Sequence, residues 1–142
     1  MGSNETGNSA DICNFRKAWY FCVTTSGHVI IADRESHMIK AYCATTGDFL
    51  WAVGGLGGDA CGGDLMYPAG VVEDPLGHIL VADRGNERVQ MYSSRGEWLA
   101  CVLDARKHDI GTPVDLAIDK QGNLVVLQAS GTVGVFKYMH LM

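Results

Sequence analysis

The chain has 142 residues, 47% of them apolar and 19% charged, with 18 Gly, 3 Pro and a formal net charge of -5. That apolar content excludes a globally disordered chain, and the excess of acid argues against a generic polyanion binder, whose affinity comes from phosphate neutralisation. Many glycines with few prolines point to tight turns between short strands.

Residues 1–12 form a polar tail without a basic or apolar segment of the signal-peptide kind, so the sequon at Asn4 carries no weight. No apolar stretch approaches the ~18 residues of a membrane helix. A reduced, cytoplasmic protein with no membrane partner is the expectation. It suits the five cysteines, an odd number without CxxC spacing, of which Cys22, Cys43 and Cys101 sit in apolar runs and read as buried thiols.

The first predicted strands are 18–22 and the run Gly27-His28-Val29-Ile30-Ile31-Ala32-Asp33-Arg34, followed by Ile39-Lys40-Ala41-Tyr42 and Gly47-Asp48-Phe49-Leu50. Residues Gly54 to Gly63 are a glycine-rich crossover, with no helix behind them and neither phosphate-loop spacing. The whole pattern then recurs. Gly77-His78-Ile79-Leu80-Val81-Ala82-Asp83-Arg84 repeats the earlier run, and Val89-Gln90-Met91-Tyr92 and Gly96-Glu97-Trp98-Leu99 come after it in step. Strands are predicted at about 69–74, 78–83, 88–93 and 97–103, the second buried on both faces and the third half-exposed. A looser copy, Gly122-Asn123-Leu124-Val125-Val126-Leu127, continues into Val133-Gly134-Val135-Phe136. Four strands in about 45 to 50 residues is the size of a propeller blade.

At Pro68, Gly70, Asp74, Gly77, Val81-Ala82-Asp83, Arg88-Val89-Gln90-Met91-Tyr92 and Gly96-x-Trp98-Leu99 the sequence resembles the NHL repeat. The likeness covers roughly residues 18–138. It is loosest in the third copy, where Gln128 stands in place of the Asp and the arginine is lost. It implies an all-β partial β-propeller of about three four-stranded antiparallel NHL-type blades, at about 18–55, 67–104 and 112–138, within residues 13–142. The resemblance is strongest to the C-terminal propeller of tripartite-motif E3 ubiquitin ligases, and it implies substrate recognition in a ubiquitin-ligase-like context. Ligase activity itself would need a RING domain, for which this sequence has no cysteine/histidine array.

Three blades leave an apolar face at each end. Missing blades from a longer chain, pairing of two copies into a six-bladed ring, or an open stack would each answer this; the first is preferred. Ile12 to Arg16 are an optional extra strand.

Gly27, Gly77 and Gly122 are expected at tight turns. Asp33 and Asp83 are expected to accept backbone N–H groups of the following loop, in preference to forming a carboxylate ring for a cation. His28 and His78 read as solvated turn residues. Neither metal ligands nor a catalytic motif nor a cofactor is expected, which leaves a lyase- or lactonase-type propeller enzyme as the weakest reading. The resemblance places ligands on the face that carries the blade linkers, where Arg34, His37, Lys40, Tyr67, Arg84 and Arg88 make a candidate basic and aromatic patch. The first expectation is a protein ligand, and the alternative is single-stranded RNA.

Overall fold

The computed structural model describes residues 15–56 and 63–141. They form two four-stranded antiparallel sheets and one of three strands. Blade 1 comprises β1 (Ala18–Val23), β2 (His28–Asp33), β3 (Met38–Cys43) and β4 (Phe49–Gly54). Blade 2 comprises β5 (Pro68–Glu73), β6 (Ile79–Asp83), β7 (Arg88–Tyr92) and β8 (Trp98–Asp104), and blade 3 comprises β9 (Pro113–Ile118), β10 (Leu124–Gln128) and β11 (Val133–Phe136). Within each blade every strand hydrogen-bonds to the next in sequence, and the first strands β1, β5 and β9 lie nearest one another across the blades. No helix among the described residues is long and apolar enough to cross a membrane. Cys13, Cys61 and residues Ile12 to Asn14 lie outside the described part, and Phe15 and Arg16 are in no strand.

The hairpins between first and second strands share one turn. The N–H of Gly27, Gly77 and Gly122 each donates to the carbonyl three residues back, with φ near +85° (86, 87 and 83). Asp74 and Asp119 add a side-chain version of the same turn, their Oδ1 accepting the N–H groups two and four residues on.

Two apolar layers hold the sheets together. Ile30, Ala32, Ile39 and Ala41 of blade 1 pack with Val71, Ile79 and Val81 of blade 2. Leu80, Ala82, Val89 and Met91, on the other side of blade 2, pack with Leu116, Leu124 and Val126 of blade 3. β6 is therefore enclosed on both faces, Ile79 to Ala82 being 0% exposed. Each large side chain buried in this way contributes about 1.5–3 kcal/mol.

The third strand of blade 2 departs from its half-exposed reading, since all five residues of β7 are buried. Its polar side chains meet the linker that enters blade 2. The Tyr92 hydroxyl donates to the Gly63 carbonyl, while Arg88 Nη2 and Gln90 Nε2 reach the Asp64 carbonyl at 2.9 and 3.4 Å. At the far end Tyr138, fully buried, donates its hydroxyl to Asp74 Oδ2 at 2.7 Å, which ties the last segment to the first turn of blade 2.

The end of each second strand clasps the chain that enters its own blade. Asp33 accepts from the backbone N–H of Arg16 (2.9 Å) and Lys17 (2.7 Å), from Ser36 Oγ (2.6 Å) and from Lys40 Nζ (2.8 Å). Asp83 accepts from Met66 N–H (2.7 Å), Asn86 Nδ2 (3.0 Å) and Arg88 Nε (2.7 Å). In blade 3 the Gln128 side-chain carbonyl accepts the Gly111 N–H. Arg16, Met66 and Gly111 hold the same place, just ahead of strands that begin at 18, 68 and 113. The backbone donors thus lie upstream of the aspartates. The following loop, expected to supply them, gives only the Ser36 and Asn86 side chains, because antiparallel pairing sets the end of a second strand beside the start of the first.

Both carboxylates and Lys40 are 0% exposed, and Arg88 is nearly so. Burial pushes the Asp33 carboxyl up, but the bonds from Lys40, Ser36, Lys17 and Arg16 outweigh it and hold it below the ordinary carboxylate value. Asp83 moves the other way: burial raises it, against the pull of Met66, Arg88 and Asn86.

Two outcomes are expected from urea unfolding. Asp33→Asn strands the buried Lys40 ammonium and costs about 3–5 kcal/mol, while adding Lys40→Met recovers most of that, leaving a neutral clasp of the Gln128 kind. Because the folded-state value of Asp33 is depressed, its contribution is complete above the ordinary carboxylate value and is lost as pH falls below it; the double variant lacks this acid-dependent share. Gly70 is the second target. A Cβ there would collide with Asp115 Oδ1 and lie 2.6 Å from the Asp115 Cα, so Gly70→Ala forces β5 and β9 apart and costs about 1–3 kcal/mol.

Candidate ligand-binding face

The clasps fix the position of the loop beyond each second strand. Immediately after Asp33 and Asp83 the chain makes a single 3-10 turn, Arg34–Ser36 in blade 1 and Arg84–Asn86 in blade 2, so that Arg34 and Arg84 occupy one repeated position on the linker face. Both are half-buried, and the Nε of each is buried without a hydrogen-bond partner. Neither joins an ion pair among the described residues. Their acidic neighbours are otherwise engaged. Glu35 lies 3.8 Å from Lys17 Nζ, and Glu87 accepts from Thr112 Oγ1 at 3.1 Å.

Aromatic rings flank the first of the two arginines. The Arg34 guanidinium carbon stands 5.3 Å from the Trp19 ring centre and 5.7 Å from that of Tyr67, distances at which ring quadrupoles attract a cation. The His37 ring meets Tyr67 edge-on at 4.5 Å, and its Nδ1 accepts the Tyr67 N–H at 3.0 Å. Tyr67 has φ +51°, the left-handed region, which a non-glycine residue occupies at a cost of about 1–3 kcal/mol. The His37 bond behind it and the Asp83 clasp on Met66 hold it there, with its ring partly in solvent. A bond from Gly85 N–H to the Met66 carbonyl, at 2.7 Å, carries the same segment across to the Arg84 turn. Trp19, Arg34, His37 and Tyr67 form one strip over the junction of blades 1 and 2, and Arg84 adjoins it.

Lys40 and Arg88 do not belong to this surface. Both lie beneath it, spent on the clasp carboxylates, so the exposed basic patch reduces to Arg34 and Arg84 with His37 and Tyr67 beside them. A carboxylate ring open to a cation is likewise not what Asp33 and Asp83 make, since both point into the blade and are filled with donors. His28 and His78 are both half-buried, and His78 Nδ1 lies 3.0 Å from Asp74 Oδ2. Cys22, Cys43 and Cys101 are free thiols, and they are half-buried in place of the full burial expected; burial, then Glu73, pushes Cys22 up to about 11. Among the described residues no three His, Cys, Asp or Glu side chains converge. Trp19 is the site residue that sequence reasoning missed. Its signal was an indole in β1 at the place where the other copies carry Ala69 and Val114.

Comparison with known proteins reaches the fold and one repeat. The sequence matches no curated protein. Residues 65–92, from the end of the first linker through β7, match the NHL repeat. The chain superposes on the WD40 β-propeller domain of Doa1 with a TM-score of 0.62 and 19% identity, over 84% of this chain and 36% of that one. For virginiamycin B lyase from Staphylococcus aureus the values are 0.62 and 15%, over 84% and 41%, and for BamB from Moraxella catarrhalis 0.60 and 20%, over 80% and 30%. The chain thus spans well under half the length of each of these propellers. Its described residues are a partial β-propeller whose middle blade carries the match to the NHL repeat.

Proposed function

We propose that the chain is a noncatalytic recognition module that binds a protein ligand across its linker face, anchored on Arg34 and Arg84 and flanked by Trp19, Tyr67 and His37. The observation that carries this reading is the pair of arginines at one repeated position, half-buried, with a buried Nε each and no acidic partner among the described residues. A guanidinium offers five donors in a fixed fork, and donors left without acceptors in a partly desolvated place are costly until a ligand supplies them. Carboxylates of an acidic peptide segment fit that fork, and the exposed Trp19 ring beside it accepts an apolar neighbour. Recognition of substrates in a ubiquitin-ligase-like setting is the finer form of this reading, and its support is the NHL match alone.

Single-stranded RNA is the second reading, favoured by the rings either side of Arg34, on which bases stack. The net charge of -5 and the withdrawal of Lys40 and Arg88 from the face weigh against it, since a polyanion needs several phosphate contacts. One superposed propeller is a lyase, but at 15% identity that likeness concerns the fold and not the chemistry.

Panning displayed random peptides on the immobilised chain tests the proposal. Acidic peptides are expected to be enriched, with affinity falling about tenfold or more for Arg34→Glu and again for Arg84→Glu, as for a centrally placed arginine anchor. Salt-dependent binding of a single-stranded oligoribonucleotide, lost in the same variants, would transfer the site to RNA. Enrichment that ignores both substitutions would overturn the assignment.

A further inference from the structure

Each blade has two faces of different kinds, and the chain shows twice how they fit. The face that blade 1 turns to blade 2 is made by Ile30, Ala32, Ile39 and Ala41, and the face that blade 2 turns to blade 3 by Leu80, Ala82, Val89 and Met91, which are the same positions of the repeat. The receiving faces also correspond, Val71, Ile79 and Val81 in blade 2 matching Leu116, Leu124 and Val126 in blade 3. Among the described residues, one face of each kind is left uncovered. Register pairing puts Val125, Leu127, Val133 and Val135 together on the outer side of blade 3, and these are the covering positions. It puts Phe21, Val29 and Ile31 on the outer side of blade 1, and these are the receiving positions. Phe21 is 66% exposed, Val133 61% and Val135 59%, whereas their counterparts Val71, Val89 and Met91 are buried.

We infer that the outer face of blade 3 docks on the outer face of blade 1 of a second copy of this chain, and that two copies pair with two such junctions. The occupant is given by continuity: the face left open on blade 3 is of the kind that the chain already seats, at two places, on the kind of face left open on blade 1. Apolar stripes this exposed mark interaction surfaces. A single junction would leave one face of each kind free and propagate into an open array, while a two-fold pair uses both and closes. Phe15, which lies 5.6 Å from Tyr42 and over Lys40 Nζ, covers only the outer part of the blade 1 face and leaves Phe21 clear. This inference is independent of the ligand reading, since none of its residues lies in the Arg34 strip.

Size-exclusion chromatography with light scattering on the whole chain is the test. The expected mass is twice the 15.3 kDa of one copy. Phe21→Asp and Val135→Asp should each yield a monomer with unchanged far-UV circular dichroism, both side chains being exposed within one copy. Mixing the two variants should restore a pair, because the intact blade 3 of one meets the intact blade 1 of the other, a result that misfolding could not produce. A wild-type monomer would overturn the inference and leave these faces to residues outside the described part of the chain or to another polypeptide. Larger open assemblies, a pair that survives both substitutions, or folded variants that fail to complement would overturn it as well.

Discussion

Where the second strand of a blade ends, its side chain must satisfy the backbone of the chain that is about to become the first strand. In blades 2 and 3 that chain arrives from the outer strand of the preceding blade and has no ladder partner until it starts to pair. Asp33, Asp83 and Gln128 supply the missing acceptor. The clasp is ionic in the first two blades and neutral in the third, and the charge state follows the third strand. Lys40 and Arg88 each need a buried counter-charge, while in blade 3 Thr132 pairs with Gln128 where Arg88 pairs with Asp83. A carboxylate without a cation would be the costly choice there, and an amide avoids it.

The candidate site inherits its geometry from that constraint. Arg34 and Arg84 face the linkers because each is the first residue beyond a clasp, and Tyr67 is held in a left-handed conformation because the residue before it is clasped and the residue after it begins β5. Rigid scaffolding of a short loop is how repeat proteins turn a structural period into a binding period.

The period itself was legible in the residues, since a blade is built from local hairpins and its turn glycines, apolar runs and Pro68/Pro113 entries recur in linear order. Lys40, Arg88, Gln90 and Tyr92 were not legible as buried. A polar residue at every second place of a strand reads as a solvent face, and here the groups that bury them are Phe15, a neighbouring sheet and the carbonyls of Gly63 and Asp64, more than twenty residues upstream of β7. The upstream direction of the aspartate bonds is non-local in the same way. Trp19 escaped for the opposite reason: alignment of the copies rewards what they share, and its contribution lies in differing from Ala69 and Val114.

The bond from Tyr138 to Asp74 spans 64 residues in a molecule whose other pairings are mostly between adjacent strands. It gives the chain a load path. Tension applied at the carboxyl end reaches the first turn of the middle blade directly, through one buried phenol, and does not have to pass strand by strand through blade 3. The seat of the phenol is made by the turn of the middle blade, so the segment after β11 is fixed to blade 2 as well as to its own sheet.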